Sequence, residues 1–146
     1  MGSRTRIRAA ARWLALLVAL AWAGASHAQV DVAKALVGRW EGEQQYLVNQ
    51  KDDPRRTLVI SAVEQVDGNW VADARFGTPA QQGRFKIPVE LNGSEVRLVW
   101  KGASGADYDL RLMQTKYLVG KVTVTTGQHN STYGSRDRSL KLEKVN

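Results

Sequence analysis

The sequence predicts an all-β fold: an eight-stranded antiparallel up-and-down barrel behind a short helix. Three observations carry that reading. From Arg39 onward, apolar and polar residues alternate in short runs rich in β-branched and aromatic side chains. Tight-turn dipeptides, Asp67-Gly68 and Asn92-Gly93, separate some of these runs. The runs number eight, enough for a sheet to close on itself and leave no exposed edge.

The chain opens with a different pattern. Arg4, Arg6, Arg8 and Arg12 precede an uncharged stretch from Trp13 to Ala25, and Ser26-His27-Ala28 follows with small residues at its first and third places. These are the three parts of a secretory signal peptide, with cleavage expected after Ala28. The apolar run, about 13 residues, is shorter than the roughly 20 that a spanning helix needs. No cysteine stands at the junction to carry a lipid. The expected organisation is therefore residues 1–28 as signal peptide and 29–146 as one barrel domain, periplasmic or secreted, with no membrane span in the mature chain. Removing residues 1–28, with four arginines and no acid, takes the chain from 146 residues and +7 to 118 residues and +3. A mixed, modestly basic domain is a poor nucleic-acid binder, so none is expected as partner.

The elements follow in order. Val32, Ala33, Leu36 and Val37 recur at helical spacing, and Gly38 stops the helix. Strands are expected at 39–50, 57–66, 70–76, 85–91, 96–100, 108–112 and 118–124, with the eighth marked by Leu140 and Leu142. Gly77–Gly83 reads as a loop, as does Gly127–Ser135. Pro88 falls inside the fourth strand, where a missing N–H predicts an irregularity. The inward face is expected to include Trp40, Leu58, Ile60, Trp70, Phe76, Phe85, Ile87, Leu98, Trp100, Leu110, Leu112, Val122 and Leu140.

The inventory for catalysis is thin. The expected mature chain has one histidine, His129, in a polar loop, and no cysteine nucleophile. Glu41/Glu43 and Asp107/Asp109 each share a strand face and could serve acid–base or hard-metal chemistry, but a solvated outer face explains them as well. The expectation is a non-enzymatic protein with no metal and no cofactor.

The stretch Ala35-Leu-Val-Gly-Arg-Trp-Glu-Gly42 resembles the opening of lipocalin-like (calycin) barrels. That resemblance implies a helix closing one barrel end and Trp40, two residues after Gly38, plugging its base. Asp107-Tyr108 matches a second motif of the family. Arg136 or, preferred here, Arg138 would supply the basic residue that packs over the tryptophan, gaining a cation–π contact. A weaker resemblance joins Ser104-Gly105-Ala106-Asp107-Tyr108 to the S-G-x-x-Y motif of periplasmic C-type lysozyme inhibitors. It implies that Ser104 and Lys116, flanked by Tyr108 and Thr115, would enter a partner's acidic cleft. Two functions follow. In the first, the barrel holds a small apolar or amphipathic ligand, with Trp40, Trp70, Phe85, Trp100 and Tyr108 as walls and Gly42, Ala62, Ala72, Ala74 and Gly120 leaving room. In the second, the Gly102–Tyr108 loop docks an envelope protein.

Overall fold

The computed structural model describes residues 31, 33–45, 53–124 and 136–146. The expected signal peptide, His129 and the expected loop 127–135 lie outside the described residues. The chain divides into two compact units, Met1–Val32 and Ala33–Asn146. All that follows concerns the second.

After a single helical turn over Ala33 to Leu36, eight strands follow. They are β1 (Gly38–Gln44), β2 (Arg55–Val66), β3 (Asn69–Gly77), β4 (Gln82–Asn92), β5 (Glu95–Lys101), β6 (Asp107–Met113), β7 (Tyr117–Val124) and β8 (Arg136–Val145). Each pairs antiparallel with the next, and β8 pairs back to β1, so the barrel is closed. The meander therefore leaves no free edge. One end carries the helix and the β2–β3, β4–β5 and β6–β7 turns; it is called the helix end here. The other carries the β3–β4 and β5–β6 loops, and is called the loop end.

Turn chemistry sets the register. Asp67 and Gly68 take φ of 50° and 81° between the paired residues Val66 and Asn69. That is the two-residue turn whose twist matches the flanking strands, and Gly68 takes it without steric cost. The barrel is also sheared. One ladder runs from Gln44 through Leu140, Gly120, Leu110, Leu98, Val89 and Trp70 to Gln65 on β2. Gln44 itself donates its N–H to Pro54, beside the opposite end of that strand. Strands so staggered must tilt across the barrel axis.

Three features depart from regular alternation. In β2 the register shifts between Ile60 and Ala62, leaving Ser61 as an extra residue opposite β3. This bulge turns Ala62 outward, where it is exposed, so it does not line the interior as expected. Second, the glycines on the inward face leave no room. A Cβ on Gly42 would collide with the carbonyl of Lys141, and one on Gly120 with the carbonyl of Asp109. Adjacent backbones fill the space that the sequence reading assigned to a ligand. Third, the β4–β5 ladder holds only four residue pairs, from Val89↔Leu98 to Asn92↔Glu95. It stops beside Pro88, as the missing N–H predicts.

The inward face is packed along the axis. Trp40, Leu58, Ile60, Ala72, Ile87, Leu98, Leu110, Leu118, Leu140 and Leu142 are at most 1% exposed. Trp70, Phe85 and Leu112, expected with them, are only partly buried. Outside, Arg97 grips Asp109 through two parallel 2.8 Å hydrogen bonds and also reaches Glu90 at 3.1 Å. Asp109 is thus an ion-pair partner on the outer wall.

Gly120→Val should destabilise the barrel by about 2–4 kcal/mol, because a backbone carbonyl cannot give way as a side chain can. Urea denaturation measures this. Arg97 holds the Asp109 carboxyl below the usual 3.8, chiefly by its side-chain hydrogen bond. A depressed carboxyl stabilises the fold above its unfolded value and loses that contribution as pH falls through the folded one. Asp109→Asn should therefore lower the melting temperature by roughly 2–5 °C at pH 7. The gap should narrow below about pH 4; thermal melts from pH 7 to pH 3 check it.

Candidate functional site

The helix end is built as a plug. Trp40 is fully buried and donates its indole N–H to the Leu36 carbonyl at 2.9 Å. Gly38, at φ 139°, turns the chain from helix into β1. The cation over Trp40 is Lys144, not Arg138: its Nζ lies 5.3 Å from the ring centroid and donates to the Ala35 carbonyl at 2.6 Å. Register explains the correction. Lys144 stands directly opposite Trp40 on β8, whereas Arg138 stands opposite Val122, six residues away along the strand. The plug satisfies two helix carbonyls and leaves Trp40 a structural residue rather than a ligand wall.

The second expected set is split. Ser104 lies in the β5–β6 loop at the loop end, while Thr115 and Lys116 lie in the β6–β7 turn at the helix end. The whole of β6 separates them, about 20 Å of extended chain. Lys116 is instead tied to Glu143 at 2.9 Å, which raises its affinity for the proton. One partner cleft cannot receive Ser104 and Lys116 together in this geometry. Asp107 pairs with Lys101 at 2.6 Å on the exposed wall. Glu41 pairs with Arg39 on the outside. Among the described residues, no group of three or more His, Asp or Glu side chains could hold a metal ion.

The loop end holds an aromatic-lined site. Where the β4–β5 ladder stops, the two strands flank a cleft of about 380 Å³, bounded by the β3–β4 and β5–β6 loops. Phe76, Phe85 and Tyr108 line it together with Gln82, Ser104 and Arg56. Phe85 and Tyr108 from the expected ligand set therefore meet here, with Ser104 from the expected partner set. Trp100 stands behind them, stacked on Tyr108 at 4.7 Å and met edge-on by Phe76 at 5.2 Å. Phe76 also meets Tyr108 edge-on at 4.8 Å. This three-ring cluster is buried, and the Trp100 indole N–H within it has no acceptor among the described residues. A buried donor left unsatisfied marks a place where the fold gives up stability. Trp70, at the β2–β3 end of its strand, is not part of the cleft.

Each wall has a local cause. Gly102 accepts the N–H of Gly105 and donates to the Ala106 carbonyl, tightening the β5–β6 loop. A Cβ on Gly102 would press against the Tyr108 ring. Gln81 folds back onto Thr78 across the β3–β4 loop. The cation was missed in the sequence, although alternation gave it: Arg56, Leu58 and Ile60 share one face of β2. The Arg56 guanidinium donates to Gln44 Oε1 at 3.2 Å, to the Asp53 carbonyl at 2.6 Å and to the Arg55 carbonyl at 2.8 Å. The Asp53 carboxyl is itself held at about 2 by the Arg55 side chain. Arg56 is thereby fixed at the barrel mouth with its charge against the cleft.

The class that this architecture defines is an eight-stranded antiparallel β-barrel with one plugged end and one cleft end, compatible with a binding protein. The chain matches no family model, no curated protein and no solved structure. No described helix is long and apolar enough to cross a membrane.

Proposed function

We propose that this protein is a non-enzymatic binding protein of lipocalin-like type, exported by its leader, which takes an amphipathic ligand at the loop end. The observation that supports this is the cleft itself: three aromatic side chains and one fixed arginine around about 380 Å³. That volume falls within the roughly 300–1,000 Å³ of small-molecule sites. Apolar walls with one charge suit a ligand with a hydrocarbon body and an anionic head. The body would lie on Phe76, Phe85 and Tyr108, and the head would face Arg56. The packed axis keeps the ligand at the mouth rather than deep in the barrel. The interrupted β4–β5 ladder gives the wall room to separate further, since few hydrogen bonds must break there.

The test is displacement of the fluorescent probe 1-anilinonaphthalene-8-sulfonate by dodecanoate and by dodecanol. Dodecanoate should compete better than the neutral alcohol. Phe85→Ser should weaken both about tenfold, equivalent to about 1.4 kcal/mol. Arg56→Gln should remove the preference for the acid. Trp70→Phe, at the far end, should change neither. No displacement, or equal losses in all three variants, would overturn the reading.

A further inference from the structure

The outer wall of the barrel carries a second feature that the cleft does not use. Arg75 on β3 and Arg84 on β4 stand directly opposite each other in the ladder, both exposed. Like charges placed directly across a strand pair destabilise a sheet. Neighbouring acids could relieve this, but they are engaged elsewhere. Asp73, two residues before Arg75, pairs with Lys86 at 3.3 Å, and Glu64 approaches the same lysine at 3.8 Å. Glu41, on the same wall, pairs with Arg39. Other outward cations of the sheet are matched by acids, Arg97 with Asp109, Lys101 with Asp107, Arg111 with Glu95 and Lys121 with Asp137, while Lys141 sits over the Tyr117 ring. The Arg75 and Arg84 side chains make no hydrogen bond and no ion pair among the described residues.

Beside them the wall is concave. The bulge at Ser61 bends β2 where it passes β3, and a hollow of about 370 Å³ forms against Val59, Ser61, Asp73, Arg75 and Arg84. Ser61 Oγ donates to the Asp73 carbonyl at 3.0 Å, which fixes the bulge. Val59 stands opposite Arg75 and gives the hollow an apolar floor. Two arginines directly opposite each other across the ladder, both lining the hollow, supply two planar forks of donors with no ion pair to either among the described residues. The bulge, the like-charge pair and the diversion of Asp73 to Lys86 are three separate arrangements that converge on one concavity.

We propose that Arg75 and Arg84 form an oxyanion site on the barrel's outer wall that receives a doubly charged phosphate group, free or carried on a lipid headgroup. A dianion neutralises both arginines at once and turns a repulsive cross-strand pair into a bridged one. The site is solvent-exposed and therefore weak for the ion alone, and salt should compete with it.

The experiment follows the side-chain Nε–Hε NMR signals of the arginines as inorganic phosphate is added, with ionic strength held constant by chloride. Arg75 and Arg84 should shift together and saturate in the millimolar range, while the acid-paired Arg111 should not. Arg84→Gln should abolish the saturating shift at Arg75. In phosphate-free buffer that variant should be at least as stable as the parent, and it should lose the rise in melting temperature that phosphate gives the parent. A second arm measures co-sedimentation with phosphatidylcholine vesicles containing phosphatidic acid. Retention that Arg84→Gln removes identifies the lipid headgroup as the source. Phosphate binding without vesicle retention identifies a soluble phosphate. Equal shifts at Arg75, Arg84 and Arg111, or the same shifts from chloride alone, would show simple screening and overturn the proposal.

Discussion

The ladder between β1 and β8 is the constraint on which the rest of this molecule depends. It joins the first strand to the last and turns an eight-stranded meander into a closed wall. The closure is tight because Gly42, on β1, lets the Lys141 carbonyl of β8 approach where a side chain would stand. The same ladder brings Lys144 opposite Trp40, so closing the barrel also assembles the plug at the helix end. Strand pairing, helix capping and the burial of the largest core side chain are thus parts of one event. With that end sealed and the axis packed, the described structure concentrates its irregularity elsewhere.

That irregularity falls at two places, and both trace to single residues. Pro88 ends the β4–β5 ladder after four pairs, and the cleft forms where hydrogen bonding stops. Ser61 adds a residue to β2, and the outer hollow forms where the strand bends. In each case aromatic or cationic side chains gather at the defect. The well-ordered part of the wall is instead occupied by paired charges outside and aliphatic packing inside. Bulges and ladder interruptions are over-represented beside functional sites, and the two proposed sites each lie at one.

Much of this was legible in the sequence. Period-two alternation and the Asp67-Gly68 turn are local signals, and the strand number and order followed from them. Pro88 announced the weak ladder because its missing N–H acts wherever the strand lies. Other features were hidden because they depend on pairing between distant segments. Arg136 and Arg138 suit Trp40 by type and by closeness to the last strand, and only the β1–β8 register shows that Lys144 stands there instead. Ser104 and Lys116 lie 12 positions apart in the chain, yet a strand carries them to opposite ends. Gly42 and Gly120 suggested empty space, but the neighbouring backbone closes on each. Ala62 left the inward face because of a bulge that no local pattern marks. Arg56 escaped notice because the second strand was expected to begin at Thr57, whereas β2 begins at Arg55.

The proposed function requires that the ligand enter at the loop-end cleft and not at the helix end. Backbone amide NMR of the protein titrated with dodecanoate decides between the two ends. Saturable shifts should centre on Phe76–Phe85 and Gly102–Tyr108 and leave Leu36–Trp40 and Lys144 in place. Shifts centred on Trp40 and Lys144, or no saturable shifts at all, would contradict it.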